Sequence, residues 1–261
     1  MNFTWVAEDY FQNSQFQYDH AQRALSQYKF LGNETVLDVG CGDGKITAEI
    51  ANKIPNGRVI GIDSSEHMIK FANSEFGSKS VNLKFLVGKA ESFSYTSEFD
   101  LIVSFACLHW VKDQLSFLHA ANNALKNDGK IVLTLYPKHP YIWDSIEEAI
   151  SLPTWKEYFI GYKNPHISYD INIYRNLCEQ AKLNIQYLKE EVPIANFKTV
   201  EGMEDFLKSW LPHTDQVHPY LRAKFISDIG RIFLKKISYK ENDEIIGMPF
   251  RRLDVILSKQ V

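Results

Sequence analysis

The chain has 261 residues, a formal net charge of -3 and 45% hydrophobic residues. This length supports one α/β domain with an insertion, and the weakly acidic balance weighs against the general positive field with which proteins hold nucleic acid. The sequence contains no apolar run of membrane-spanning length, no signal-peptide pattern, and three cysteines without metal-ligand spacing. We therefore expect a soluble, cytoplasmic protein with free thiols and no bound metal or membrane contact.

Residues 1–31 precede the first predicted strand and are rich in aromatic side chains. Ala21, Leu25 and Tyr28 follow one another at helical spacing, so the segment is predicted to be helical. Two interpretations are open at this point. The helices either cover an edge of the sheet or fold over a ligand as a lid.

The next stretch, residues 36–44, organises the rest of the chain. A short apolar run reads as a buried parallel strand, and a helical pattern follows over residues 45–54. Between them lie Gly40, Gly42 and Gly44. Glycine tolerates backbone conformations that other residues avoid and lets a ligand approach the main chain, so this turn is a predicted binding loop.

A second strand, residues 58–63, ends in Asp63. Its distance from the glycines is the spacing at which a carboxylate accepts the two hydroxyl groups of a ribose. The loop has the pattern G-x-G-x-G rather than the dinucleotide pattern G-x-G-x-x-G, and Asp38 and Asp43 add negative charge that would repel a pyrophosphate. The pattern therefore favours a nucleoside that carries a cationic centre.

Beyond Asp63, the hydroxyl group of Ser64 is predicted to cap a helix over residues 66–76. Met68, one turn into that helix, either contacts an adenine face or belongs to the core. A third strand is predicted over residues 82–87.

The fourth predicted strand, residues 101–104, leads into Phe105, His109 and Trp110. Ligands of an open parallel sheet bind at the carboxyl ends of its strands, so these side chains are predicted to face a substrate. His109 is the candidate general base in case the substrate is a neutral hydroxyl or amine. A helix over residues 113–125 follows.

The remaining half carries a fifth strand and then a change of composition. Residues 136–165 combine four prolines with many aromatic side chains, which indicates a small helical insertion that walls a pocket. The other predicted elements are a strand at 130–135, a helix at 169–181, a strand at 184–192, helices at 201–211 and 220–237, and a final strand at 250–257.

The glycine loop and Asp63 resemble the first two motifs of the class I S-adenosylmethionine-dependent methyltransferases. Residues 99–104 and 125–133 resemble the fourth and fifth strand segments of the same family. The resemblance implies a doubly wound, Rossmann-like α/β fold with a seven-stranded sheet in the order 3-2-1-4-5-7-6 and an antiparallel last strand. It also implies a methyltransferase that uses S-adenosyl-L-methionine and releases S-adenosyl-L-homocysteine.

With this resemblance, four segments are predicted. Residues 1–31 form a helical lid, residues 32–136 the cofactor-binding core, and residues 137–168 a helical insertion over the acceptor pocket. Residues 169–261 complete the core and carry inserted helices.

Adenine recognition departs from the family pattern. Many relatives have an acidic residue at the position of Lys89, so the adenine either contacts the Ala90 amide and the Glu91 side chain or is held more weakly. The full set of predicted cofactor-binding residues is Asp38, Gly40, Gly42, Gly44, Asp63, Ser64, Met68, Ala90, Glu91 and Phe105.

Residues 107–111 and the N-terminal segment are similar to juvenile hormone acid methyltransferases and, more loosely, to trans-aconitate methyltransferases. Those enzymes esterify a carboxylate, and the resemblance implies that Gln17 and Trp110 donate hydrogen bonds to it. Gln12 and Gln15 are rivals for the role of Gln17. An alternative is that a substrate carboxylate pairs with one of three arginines, Arg175, Arg251 or Arg252, although a solvent-facing ion pair is the commoner arrangement for an arginine.

The sequence thus predicts an O-methyltransferase for a small apolar acid, with Gln17, His109 and Trp110 as its catalytic residues. Two alternatives stay open. In the first, the acceptor is a quinone precursor or an acyl-carrier-bound malonyl group. In the second, the chain binds the cofactor without turnover. A monomer or weak dimer is expected.

Overall fold

The structure is a computed structural model that describes residues 5–260. The first four residues of the predicted lid lie outside this range. The chain forms two compact units. Unit 1 contains Trp5, residues 138–165 and residues 192–251, and unit 2 contains residues 6–137, 166–191 and 252–260.

Unit 2 holds the main sheet. Its strands are β1 (Thr35–Val39), β2 (Arg58–Asp63), β3 (Leu83–Val87), β4 (Phe99–Phe105), β5 (Leu125–Leu135) and β6 (Leu183–Glu191), and the last is β9 (Arg252–Lys259). The order across the sheet is β3-β2-β1-β4-β5-β9-β6. β9 runs antiparallel to both of its neighbours, whereas β1 to β5 pair in parallel. The predicted fold class and strand order are confirmed, since β9 is the seventh strand of this sheet.

The apolar strands are buried on both faces of the sheet. Leu37 and Ile102 belong to one buried cluster, whereas Val36 and Leu101 belong to a second. Alternate residues of a strand point to opposite faces, so each strand supplies both clusters. A sheet that is covered on both faces explains why its strands are nearly continuous apolar runs.

The helix α4 (Glu66–Ala72) of unit 2 begins at a polar cap. In α4 the side chain of Ser65 accepts a hydrogen bond from the amide of Met68 at 3.3 Å, so Ser65 caps the helix and the prediction of Ser64 is wrong. The predicted helix over residues 66–76 ends its α-helical part at Ala72 and continues as a π-helical turn. The helices are α1 (Ala7–Asn13), α2 (Gln15–Leu25), α3 (Lys45–Lys53), α4 (Glu66–Ala72), α5 (Gln114–Ala124) and α7 (Ile171–Gln180).

Unit 1 joins two parts of the chain that the sequence predicts separately. The insertion supplies α6 (Pro140–Ser151), and the C-terminal part supplies α8 (Val200–Trp210) and α9 (Arg222–Lys236). A two-stranded antiparallel ribbon of β7 (Ile194–Phe197) and β8 (Ile246–Pro249) completes it. The sequence prediction missed this ribbon because four residues are too few to show an alternating pattern.

None of the helices in residues 5–260 combines the length and the apolar character that a membrane crossing requires.

Candidate active site

The glycine loop lies at the carboxyl end of β1 in a left-handed conformation. The φ angles are +74° at Gly40, +53° at Gly42 and +83° at Gly44. A Cβ atom at Gly40 would overlap the side chain of Cys107, and one at Gly44 would lie 2.7 Å from the ring of Phe85. Conformation therefore favours glycine at all three positions, and lack of space requires it at Gly40 and Gly44.

Asp63 at the end of β2 ties the loop to the next helix. Its carboxylate accepts hydrogen bonds from the amide of Gly42 at 3.0 Å and from the amide of Ser65 at 2.8 Å. The Gly40 and Cys41 amides donate to the Ile62 carbonyl. Each carboxylate oxygen can accept a second hydrogen bond, so Asp63 can hold the loop and still bind a hydroxyl group.

Asp38 is buried inside β1, where its carboxyl group accepts a hydrogen bond from the Thr47 hydroxyl at 2.7 Å. Burial, opposed by the Thr47 hydrogen bond and aided by the charges of Asp63 and Asp43, raises the pKa of Asp38 to about 7. Burial also raises the pKa of Asp43 and of Asp63. This cluster of three carboxyl groups stabilises a positive charge that is placed beside it.

A pocket opens on the glycine loop. Gln17 lines it, and its Oε1 atom is buried with no hydrogen-bond partner among the described residues. Its two rivals do not line the pocket: Gln12 is exposed, and Gln15 donates to Asp19 at 2.6 Å. The lining residues are Tyr10, Ser14, Gln17 and Tyr18 from α1, α2 and the residue between them, with Asp38, Gly40, Cys41, Gly42, Asp43, Lys45, Ile46 and Phe105.

Six of the predicted cofactor residues, Gly44 and Asp63 among them, lie outside this lining. Ser64 is exposed, Met68 is buried, and Ala90 belongs to the main apolar cluster. Glu91 lines a different pocket, with residues of α5 and the segment that precedes β4. Lys89 is exposed. These adenine contacts stay predictions.

His109 and Trp110 lie in a 3₁₀ turn after β4, within a cluster of rings. The amide of Tyr136 donates to Nδ1 of His109 at 3.4 Å. The Nε2 atom of His166 lies 3.0 Å from the Tyr136 carbonyl, and the His166 ring meets that of Trp110 edge-on at 5.1 Å. His20 reaches the Tyr136 hydroxyl at 2.7 Å. Sequence reasoning missed Tyr136 and His166.

Two of the three arginines that could pair with a substrate carboxylate are engaged inside their own units. Arg252 is buried and forms ion pairs with Asp254 at 2.9 Å and with Glu191. Arg251 donates to the Lys138 carbonyl at 3.3 Å. The pairs of Arg252 are buried rather than solvent-facing, which corrects the expectation for that residue. Arg175 is exposed.

A comparison with protein families shows which family the chain belongs to. Residues 31–192 match a family model described as a methyltransferase domain. This span is more than half of the chain. The chain belongs to this methyltransferase family.

Relatives of the methyltransferase agree with this assignment. The putative methyltransferase 235L of Invertebrate iridescent virus 6 is 30% identical over 230 residues, which cover 86% of this chain and 83% of the viral protein. The juvenile hormone acid O-methyltransferase of Bombyx mori is 27% identical over 183 residues, which cover 69% of this chain and 62% of that enzyme. The family predicted from the sequence is confirmed.

Solved structures establish the fold of the methyltransferase. A putative methyltransferase from Bacillus halodurans C-125 superposes with a TM-score of 0.66 at 17% identity, covering 93% of this chain and 100% of that one. Phosphoethanolamine N-methyltransferase 2 of Haemonchus contortus, in complex with phosphomonomethylethanolamine and S-adenosylhomocysteine, gives a TM-score of 0.61 at 15% identity. It covers 93% of this chain and 53% of that one.

The enzyme is S-adenosylmethionine-dependent, and its own residues suit this cofactor. The left-handed glycines open the backbone to a ligand, Asp63 keeps lone pairs for ribose hydroxyls, and the buried carboxyl groups favour a cation. The predicted cofactor and enzyme class are confirmed. The individual binding roles remain predictions.

The raised pKa of Asp38 predicts a pH-dependent affinity for the cofactor. Because the pKa is about 7, the carboxyl group is mostly protonated at pH 5.5, and a bound cation favours the ionised form. Binding therefore releases a proton, and the affinity rises with pH. We expect the affinity for S-adenosylmethionine to be about tenfold higher at pH 7.0 than at pH 5.5. Both pH values lie below the pKa of an α-amino group, so the amino group of the cofactor stays mostly protonated.

Calorimetry in two buffers of different ionisation enthalpy measures both the affinity and the released proton. The matched variant is Asp38→Asn, which keeps the size of the side chain and cannot ionise. It should bind more weakly and lose most of the pH dependence. An unchanged pH profile in Asp38→Asn would assign the proton to another group.

Proposed function

We propose that the enzyme transfers a methyl group to the carboxylate of a small apolar acid and forms an ester. The observation that carries the proposal concerns His109, the candidate general base that the sequence indicates. Its ring is neutral, and its Nδ1 lone pair is occupied by a hydrogen bond. An already anionic acceptor needs alignment and hydrogen-bond donors, whereas a neutral hydroxyl or amine needs a base. The named activity of the relative from Bombyx mori supports the same acceptor class.

The surroundings of His109 support a donor rather than a base. Its Nδ1 lone pair accepts the Tyr136 amide, so the proton of the neutral ring lies on Nε2. Burial, and then the charge of His166, lower the pKa of His109 well below its ordinary value. A neutral ring with its lone pair occupied and an Nε2–H group can donate a hydrogen bond, but it has no free lone pair for a substrate proton.

The remaining roles follow from the donors. We assign Gln17 and Trp110 as donors that orient the carboxylate, since an amide N–H and an indole N–H cannot compete as nucleophiles. Bound S-adenosylmethionine supplies a methyl group on a sulfonium, and its transfer to a carboxylate oxygen breaks the methyl–sulfur bond and requires no proton transfer. The helices α1 and α2 carry Tyr10 and Gln17 into the pocket lining, which supports a lid that excludes water.

A binding and transfer assay tests the proposal. The full chain is titrated with S-adenosylmethionine and S-adenosylhomocysteine and then screened for methyl transfer to fatty, terpenoid and tricarboxylic acids. Ester formation with an apolar acid supports the proposal, and its size preference reports the pocket. Cofactor binding with transfer only to hydroxyl or amine acceptors would refute the carboxylate assignment.

The variant His109→Gln separates a donor from a base. Because a glutamine amide supplies an N–H group but no basic lone pair, we expect the turnover of His109→Gln on the best acid to stay within about tenfold of the wild-type value. Loss of a general base costs about 10²–10⁴-fold. His109→Phe keeps a ring without a donor, so it should lose more turnover than His109→Gln. Equal, large losses in both variants would return His109 to the role of a base.

The alternative acceptor, an acyl-carrier-bound malonyl group, has less support from the matches to malonyl-[acyl-carrier protein] O-methyltransferases. Two such enzymes of Ilyobacter polytropus are 33% and 30% identical, over 41% and 44% of this chain. We assign the enzyme to the cytoplasm as a monomer or weak dimer that acts on a free small molecule without nucleic acid.

A further inference from the structure

Unit 1 contains a cluster of aromatic rings, none of which lines the pocket on the glycine loop. The rings of Tyr162 and His213 are tilted by 58° with their centres 4.9 Å apart, and Trp143 lies 6.2 Å from His213 and 6.0 Å from Trp210. Phe159 closes one side, 5.5 Å from Tyr162. We call these five residues the ring cluster.

Three polar atoms of the ring cluster are buried without a protein partner. They are the Tyr162 hydroxyl, Nε1 of Trp210 and Nδ1 of His213, and none has a hydrogen-bond partner among the described residues. The side chains of Trp210 and His213 are 7% and 2% exposed. Buried polar groups are normally hydrogen-bonded, so three in one cluster call for a partner from outside the chain.

The same unit satisfies a comparable group where the role is structural. The indole of Trp155 is fully buried, and its Nε1 donates to Asp228 at 3.0 Å. Trp210 lies in the same unit with no such acceptor among the described residues. The indole N–H of Trp210 is therefore open to an acceptor from outside the chain.

The chemistry of the three atoms favours an anionic acceptor of hydrogen bonds. An indole N–H only donates, a phenol donates readily, and a neutral histidine offers one N–H. The pKa of His213 is lowered to about 3 by burial and by the charge of Lys138, so the ring is neutral at physiological pH. The Lys138 ammonium lies 4.8 Å from the centre of the Trp143 ring. Asp215 adds a negative charge near Tyr162, but it pairs with Arg222 at 3.2 Å.

We propose that the ring cluster binds an apolar monocarboxylate, with Tyr162, Trp210 and Lys138 facing its carboxylate. The aromatic rings bury the apolar body, and the donors and the ammonium replace the water that the carboxylate loses. This binding concerns unit 1 alone. That the bound acid is also the methyl acceptor rests on the proposed function.

The test titrates the full chain with decanoate and with trans-cinnamate, an extended and a flat acid. We expect at least one of them to bind. Its methyl ester should bind with an affinity lower by about tenfold or more, because esterification removes the charge. Tyr162→Phe should weaken the acid about tenfold and leave the ester unchanged. The Tyr162 hydroxyl has no hydrogen-bond partner in residues 5–260, so we expect Tyr162→Phe to fold. The matched control is Tyr158→Phe, which removes an exposed hydroxyl from the same segment.

A second variant tests the charge. Lys138→Met keeps the length of the side chain and removes the ammonium, so it should weaken the acid while the ester is unaffected. If neither acid binds to the wild type, or if Tyr162→Phe leaves the affinity for the acid unchanged and alters only the melting temperature, the three polar atoms hold ordered water and the proposal is refuted.

The two proposals fail in different ways. Loss of acid binding in Tyr162→Phe, with no ester formed by the wild type, leaves the ring cluster as a binding site and removes the proposed function. Ester formation by the wild type, with a KM for the acid that is unchanged in Tyr162→Phe, supports the proposed function and removes the ring cluster as the binding site of the acid. S-adenosylhomocysteine affinity should be the same in wild type and Tyr162→Phe, since Tyr162 does not line the pocket on the glycine loop.

Discussion

Replacing Asp63 with alanine is expected to weaken the binding of S-adenosylhomocysteine by about a hundredfold. Hydrogen bonds to a charged group contribute about 1.5–3 kcal/mol each, and two ribose hydroxyls would lose their acceptor, so about 3 kcal/mol is a conservative sum. Asp63→Ala also removes the acceptor of the Gly42 amide, which loosens the loop at the point of contact. Calorimetric titration measures the affinity, and thermal melting reports the fold.

The matched control is Asp100→Ala. Asp100 lies near the amino end of β4, where it accepts the Thr35 amide at 2.8 Å and pairs with Lys126. Both aspartates therefore hold a neighbouring amide and both lie in strands of the sheet, but only Asp63 follows the glycine loop. Asp100→Ala should lower the melting temperature with no loss of affinity. An unchanged affinity in Asp63→Ala would remove the ribose assignment.

The sheet was predictable because burial on both faces leaves a strong pattern. β1 and β4 are short, mostly apolar and buried along nearly their whole length, and this pattern distinguishes a buried parallel strand from a surface strand. The start of β5 was not predictable. The predicted strand begins at residue 130, whereas β5 begins at Leu125 and has an irregular stretch between the pairs Phe99–Leu125 and Leu101–Lys130.

The site was predictable in part, for an equally physical reason. Asp63 and the glycines each lie at the end of a strongly apolar strand, and the pairing of these two neighbouring parallel strands brings their carboxyl ends together. His166 has no such signal, because it meets Tyr136 only after the chain has passed through unit 1 and re-entered unit 2. Either of two adjacent serines could cap α4. The backbone conformation, which the residue type does not reveal, makes Ser65 the cap.

The variant Gly40→Ala is expected to destabilise the protein by about 2–5 kcal/mol and to abolish cofactor binding at ordinary concentrations. A left-handed alanine costs about 1–2 kcal/mol. The new Cβ also overlaps the Cys107 side chain, and such overpacking costs about 1–3 kcal/mol more. Relief of the overlap would push the loop away from the end of β4, so that its backbone no longer faces the cofactor. Urea denaturation and calorimetric titration measure the two effects.

Gly32 provides the control that separates conformation from space. It lies in the same unit with a φ of +96°, and a Cβ there would meet nothing nearer than Pro55 at 4.0 Å. Gly32→Ala should therefore carry only the conformational cost, about 1–2 kcal/mol, and keep its affinity for S-adenosylhomocysteine. Adding Cys107→Gly to Gly40→Ala removes the overlapping side chain and should recover the difference between the two single variants. If Gly40→Ala costs no more than Gly32→Ala, close packing of the loop against Cys107 does not shape the cofactor site.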